Sequence, residues 1–98
     1  MDSIITAKLQ HFFKDQPVEK AWVFGSYSRG EERLDSDVDI MVRFSPGTRM
    51  SLLKFSSMMC SLEDLLMRKI DLVEEGQLMN FALASAERDK ILVYERAN

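Results

Sequence analysis

The sequence predicts an α/β (α+β) domain in which a small mixed β-sheet is flanked by helices. Segments with a helical periodicity of about 3.6 residues alternate with short segments rich in strand-forming residues. The chain has 98 residues, of which 46% are hydrophobic and 30% are charged. This length and composition are typical of one globular domain. We therefore expect residues 1–98 to form a single domain.

The first half of the chain is predicted to contain one helix and two strands. Ser3 can cap a helix with regularly spaced apolar residues, and Pro17 ends it. Residues 18–24 and 37–44 are rich in β-forming residues, so each predicts a strand. The connection between them is expected to contain a turn, a short helix start and a charged loop, at residues 25–26, 26–30 and 31–36.

The second half begins with a turn at residues 45–48, which contains Pro and Gly. An amphipathic helix is predicted over residues 50–67, with an apolar stripe formed by Leu52, Phe55, Met59, Leu62 and Leu66. The remaining elements are expected to be a third strand at residues 69–73, a further helix at 78–86, and a last short strand or extended tail at 91–94.

Composition limits the possible classes of function. The net charge is −3, which argues against a broad basic surface for direct nucleic-acid binding. Cys60 is the only cysteine, so we expect no internal disulfide, a core or near-core position for Cys60, and a reducing, cytoplasmic location. The first residues do not resemble a signal peptide, and no apolar run approaches the about 18 residues of a membrane span.

Two aspartates, Asp37 and Asp39, occur in an otherwise apolar predicted strand. Because side chains alternate along a strand, both carboxylates should point to the same face. Such a pair repels itself unless a cation lies between the two groups, and Mg²⁺ prefers carboxylate oxygens. The alternative is a strand that turns its aspartates to solvent. Aspartate is a poor strand former, which favours a functional role.

Asp71, in the third predicted strand, is a candidate third carboxylate. It can join the pair if that strand lies beside the second, either as a metal ligand or as a general base toward a hydroxyl. In isolation, a solvated strand residue is the simpler interpretation.

Gly25 and Ser26 form a turn directly after the first strand, and such a turn can offer backbone N–H groups to a phosphate. A routine turn in which Ser26 caps a helix is the alternative. Arg29 is a candidate phosphate contact because it follows this turn, whereas Arg33 and Arg43 are expected to be surface residues.

Together these residues resemble the minimal nucleotidyltransferases of the DNA polymerase β superfamily. The pattern of that family is Gly-Ser-x-x-Arg-Gly, then Ser-Asp-x-Asp, then a third Asp on a later strand. Residues 25–30, residues 36–39 and Asp71 match it in order and spacing. The resemblance extends from Val18 to about Tyr94 and implies a polymerase β-like fold.

The resemblance also implies roles for individual residues. Asp37 and Asp39 would hold two Mg²⁺ ions on the triphosphate of a nucleotide, and Asp71 would help to bind the catalytic metal and activate the attacking hydroxyl. Gly25 and Ser26 would contact the β- and γ-phosphates, and Arg29 belongs to the same nucleotide-binding motif.

In its length the chain resembles the stand-alone members of the family, which are typically encoded with a small helical HEPN protein and form a toxin–antitoxin pair with it. By this resemblance, the chain is expected to transfer AMP from ATP to a tyrosine of a HEPN partner, since its length leaves no room for an acceptor-binding domain. Two alternatives remain open. One is transfer to a small molecule in a site completed by a partner chain, and the other is a non-catalytic subunit that inhibits the partner by masking it.

Overall fold

The computed structural model describes residues 3–25, 30, 37–77 and 86–97. Each described strand begins and ends within one residue of its predicted bounds. Three predicted segments lie outside the described residues. They are the helix start at 26–30, of which only Gly30 is described, the loop at 31–36, and the helix at 78–86, of which only Ala86 is described. In chain order the elements are α1 (Ser3–Lys14), β1 (Val18–Phe24), β2 (Val38–Phe44), α2 (Leu52–Leu66), β3 (Ile70–Glu74) and β4 (Ile91–Glu95).

The four strands form one sheet in the order β3-β2-β1-β4, and its mixed parallel and antiparallel pairing confirms the small mixed sheet that the sequence predicts. β1 pairs antiparallel with both β2 and β4, whereas β2 pairs parallel with β3. A parallel pair needs a long crossover connection. Helix α2 supplies that connection, because it lies between β2 and β3 in the chain.

The main core lies between the two helices and one face of the sheet. Leu9 and Phe13 of α1 and Leu62 of α2 are fully buried there. The sheet contributes alternate residues of β2 and β3 to the same cluster, namely Val38, Ile40, Val42, Ile70 and Leu72. No helix in the described part of the chain is long and apolar enough to cross a membrane.

The opposite face of the sheet carries a second, smaller apolar cluster that includes Trp22, Met41 and Ala86. Met41 alternates with the residues that face the main core, yet it is fully buried. The sequence pattern therefore underestimates how much of this second face is covered. The reason is that Trp22 and Ala86 are buried beside Met41, and the partly buried side chains of Phe24 and Val73 pack against this cluster.

Two predictions about α2 are wrong. Leu52 is 83% exposed, although the sequence predicts it in the apolar stripe, because the first turn of the helix extends past the core. Cys60 is also exposed. It lies two residues from both Met58 and Leu62, which are buried, and a separation of two positions points to the other side of a helix. The observed stripe uses Met58 in addition to the predicted Phe55, Met59, Leu62 and Leu66.

Arg96 joins the carboxyl-terminal segment of the chain to residues 16–19, which follow α1 and include the start of β1. Its side chain donates from Nε to the carbonyl of Val18 over 3.1 Å, and from Nη2 to the carbonyl of Gln16. Its backbone N–H donates to the carbonyl of Glu19 over 2.8 Å. The guanidinium thus binds carbonyl groups that follow the end of a helix, where positive charge is favourable.

We expect Arg96→Ala to lower the free energy of unfolding by about 2 kcal/mol, because partly buried carbonyls lose a charged hydrogen-bond donor. The matched control is Arg88→Ala, since the Arg88 side chain is 76% exposed, and its effect should stay within about 0.5 kcal/mol. Urea denaturation of the three proteins measures both values. Equal denaturation midpoints for all three would show that Arg96 is not a structural link.

Candidate active site

Asp39 and Asp71 occupy paired positions on the neighbouring parallel strands β2 and β3. Paired residues project from the same face of a sheet. The flanking pairs, Val38 with Ile70 and Ile40 with Leu72, face the helical core, so the two aspartates project from the other face. Asp39 is half-buried and Asp71 is exposed. The third strand therefore lies beside the second, which is the condition under which Asp71 can join the aspartates of β2.

Gly25 lies directly against the carboxylate of Asp39. The preceding residue, Phe24, pairs with Asp39 across β1 and β2. Gly25 has φ +72°, in the left-handed region that favours glycine, and a Cβ atom added there would lie 2.2 Å from Oδ2 of Asp39. Both the backbone conformation and the space therefore require glycine. The sequence interpretation assigned Gly25 to phosphate contact and missed this packing against Asp39.

Asp37 is half-buried and immediately precedes β2, so it lies one residue outside the observed strand, although the sequence predicts a strand over residues 37–44. The next residue, Val38, donates its N–H to the carbonyl of Lys69 over 3.0 Å. This hydrogen bond joins the segment that carries Asp37 to the segment that leads to Asp71. Asp37 thus lies at the same end of the β2–β3 pair as the two facing aspartates.

The remaining predicted site residues, Ser26 and Arg29, lie outside the described residues. Within the described ranges, no three or more His, Cys, Asp or Glu side chains are grouped so that they could hold a metal ion. The donor chemistry still fits Mg²⁺, which is commonly bound by one or two carboxylates together with substrate phosphates. Asp39 and Asp71 provide such a pair.

Arg43 lies on the same face of β2 as Asp39, but its guanidinium is engaged by Glu75. Its Nε and Nη2 atoms donate to the two carboxylate oxygens of Glu75 over 2.8 and 3.0 Å. The hydrogen bond raises the pKa of Arg43 and lowers the pKa of Glu75. The guanidinium carbon of Arg43 is also 5.5 Å from the ring centre of Trp22, and Nζ of Lys90 is 4.6 Å from it. Arg43 is therefore a structural residue in this arrangement.

A comparison with known protein families and curated proteins agrees with this geometry. The family model described as Polymerase beta, Nucleotidyltransferase matches residues 7–98. The protein adenylyltransferase MntA of Thermococcus cleftensis is 39% identical over 93 residues, which are 95% of this chain and 92% of that protein.

Solved structures share the fold. A toxin–antitoxin complex with AMP-PNP contains a chain that aligns with a TM-score of 0.78 at 19% identity, covering 93% of this chain and 73% of that one. A complex of the tri-AMPylated Shewanella oneidensis HEPN toxin with its MNT antitoxin aligns with a TM-score of 0.74 at 17% identity, covering 98% and 74%. These likenesses confirm the polymerase β-like fold. Together with the family match over residues 7–98, they lead to one conclusion: the chain belongs to the polymerase β nucleotidyltransferase family and is a nucleotidyltransferase.

Proposed function

We propose that the chain transfers AMP from ATP to a tyrosine hydroxyl of a HEPN-domain toxin and thereby acts as its antitoxin. The observation that carries the chemical part of the proposal is the pairing of Asp39 with Asp71, with Gly25 packed against Asp39. The name of the Thermococcus relative and the toxin–antitoxin complexes with the same fold support the protein acceptor.

The proposal assigns Mg²⁺ to Asp37, Asp39 and Asp71, as two ions that bind together with the triphosphate. Their oxygen donors suit this metal, which when bound would neutralise charge on the phosphate oxygens and on the departing pyrophosphate. Gly25, Ser26 and Arg29 are assigned to the phosphates. Gly25 has a positive φ and no side chain, so its backbone N–H group can come close to an anion.

Asp71 is proposed as the general base. It would take the proton of the tyrosine hydroxyl while that oxygen bonds to the α-phosphorus and pyrophosphate leaves. Asp71 is exposed, whereas Asp39 is half-buried. This difference fits a division of labour in which Asp39 holds the nucleotide and Asp71 meets an acceptor that a second protein brings to the sheet.

The experiment is incubation of the chain with ATP, Mg²⁺ and a HEPN-domain protein from the same organism, followed by intact-mass analysis of that partner. We expect the mass of the partner to rise by whole AMP groups with the wild type. With Asp71→Ala it should not rise within the same time, because no base remains to take the proton of the tyrosine hydroxyl. ATP binding by Asp71→Ala should remain largely intact, since Asp37 and Asp39 are retained. Asp64→Ala, which removes an exposed acid of α2, should modify the partner at the wild-type rate.

The other outcomes separate the alternatives. A partner that is inhibited without any gain in mass would support masking by contact and contradict catalysis. Labelled AMP found only in small molecules would support the small-molecule acceptor. Replacing the modified tyrosine of the partner by phenylalanine should prevent the mass gain, because no hydroxyl remains to attack phosphorus.

A further inference from the structure

The start of β3 determines where the Asp71 side chain lies, because Asp71 is the second residue of that strand. β3 is at one end of the sheet order, and β2 is its neighbour among the described strands. A slip of one residue in the pairing of β2 with β3 would turn Asp71 to the opposite face of the sheet. The contacts that hold this start in place therefore control how Asp71 meets Asp39.

Two hydrogen bonds hold the start of β3. Val38 donates its N–H to the carbonyl of Lys69 over 3.0 Å, and Ile70 donates its N–H to Oε2 of Glu63 over 3.2 Å. Val38 and Ile70 are paired across the parallel strands. In a pair of residues on parallel strands, only one of the two directs its backbone N–H at the other strand. Here that residue is Val38. The Ile70 N–H is therefore directed away from β2, and Glu63 supplies its acceptor.

Glu63 is well placed for this contact because its helix is anchored in the core. Its neighbour Leu62 is fully buried, and Leu66, one turn later, is 8% exposed. Met67 ends α2 in the left-handed conformation, with φ 54° and ψ 41°, and the chain then reverses toward β3. A carboxylate that accepts from a backbone N–H makes a stronger hydrogen bond than a neutral acceptor does.

We propose that Glu63 is a positioning residue for Asp71. Its carboxylate fixes the N–H of Ile70, the first residue of β3, and thereby keeps Asp71 opposite Asp39. This inference rests on the proposed role of Asp71 in nucleotidyl transfer. Glu63 does not contact the proposed reacting groups; it acts through the backbone of the strand.

The test compares Glu63→Ala, Glu63→Gln and the control Asp64→Ala, which removes the adjacent acid on the exposed side of α2. We expect Glu63→Ala to lower the rate of AMP transfer at saturating ATP by about tenfold or more, because small displacements of reacting groups are costly. It should also raise the Mg²⁺ concentration for half-maximal rate and leave ATP affinity unchanged. Glu63→Gln should stay within about threefold of wild type, because its amide oxygen still accepts a hydrogen bond.

Rates are compared per folded molecule at a temperature below each unfolding transition. A role limited to stability would change the folded fraction alone, with the Mg²⁺ dependence unaltered and no rescue by glutamine. Provided that the wild type is active, three results would overturn the proposal. They are an unaltered Mg²⁺ dependence in Glu63→Ala, a failure of Glu63→Gln to restore the rate, and a wild-type rate in Glu63→Ala.

Amide hydrogen exchange gives a second readout that needs no activity. Protection of the Ile70 amide should fall about tenfold in Glu63→Ala, which is the expected effect of losing one hydrogen bond to a charged group. If the wild type transfers no AMP, only the proposed function is rejected. Amide exchange at residues 70–72 then still tests whether Glu63 holds the start of β3. Unchanged exchange at those residues would reject it.

Discussion

Replacing Asp39 by asparagine should reduce AMP transfer by about 10³-fold or more, because the loss of a ligand removes several kcal/mol of charge stabilisation from the proposed metal site. The fold should tolerate the change, since Asp39 lies opposite Asp71 and the substitution removes repulsion between like charges. We therefore expect thermal unfolding to be unchanged or shifted slightly upward.

The measurement combines a transfer assay with labelled ATP and a thermal unfolding curve of each protein. Asp64→Asn is the matched control, because it removes a carboxylate from an exposed position on α2 and should leave the rate unchanged. Wild-type transfer by a folded Asp39→Asn protein would eliminate Asp39 as a metal ligand. Loss of folding in that variant would instead show a structural requirement for the carboxylate.

Replacing Gly25 by alanine should also cause a large loss of transfer, of about 10²-fold, because the added Cβ would lie 2.2 Å from Oδ2 of Asp39 and must displace that carboxylate. The fold should lose about 1 kcal/mol or more, since alanine is strained at φ +72°. Calorimetric titration with ATP and Mg²⁺ should show weaker binding.

Gly47 provides the control for backbone strain. It has φ +82° and no atom within 4 Å of the position that a Cβ would occupy. Gly47→Ala should therefore cost similar stability without affecting transfer or ATP binding. If Gly25→Ala and Gly47→Ala lose transfer equally, the effect is one of strain in general and the contact with Asp39 has no special role.

The two predictions probe different parts of one arrangement. Asp39→Asn keeps the shape of the site and removes its charge, whereas Gly25→Ala keeps the charge and changes where the carboxylate can lie. Glu63→Ala leaves both residues in place and loosens the strand that carries Asp71. If the site depends on charge alone, Asp39→Asn should lower the rate of AMP transfer, whereas Gly25→Ala and Glu63→Ala should leave it unchanged.

Local sequence patterns were sufficient for the strands because each one is a short apolar run between turn or polar residues. Residues 18–24 coincide with β1, and the other three strands differ from their predicted bounds by one residue. The burial of single residues was harder to predict. The predictions for Leu52 and Cys60 are wrong because burial depends on where a helix overhangs the sheet and on which side of the helix faces the core.

The sequence by itself determined the family, through the Gly-Ser turn and the three aspartates, and it also determined the order of the six helices and strands that the structure describes. Periodicity reports which side chains share a face within one element, and it carries no information about which strands become neighbours. Only the tertiary structure placed β3 parallel to β2 with Asp71 opposite Asp39, and only it showed Gly25 against that carboxylate. These contacts join residues that are distant in the chain, so they arise from the way α2 crosses the core and returns the chain to the edge of the sheet.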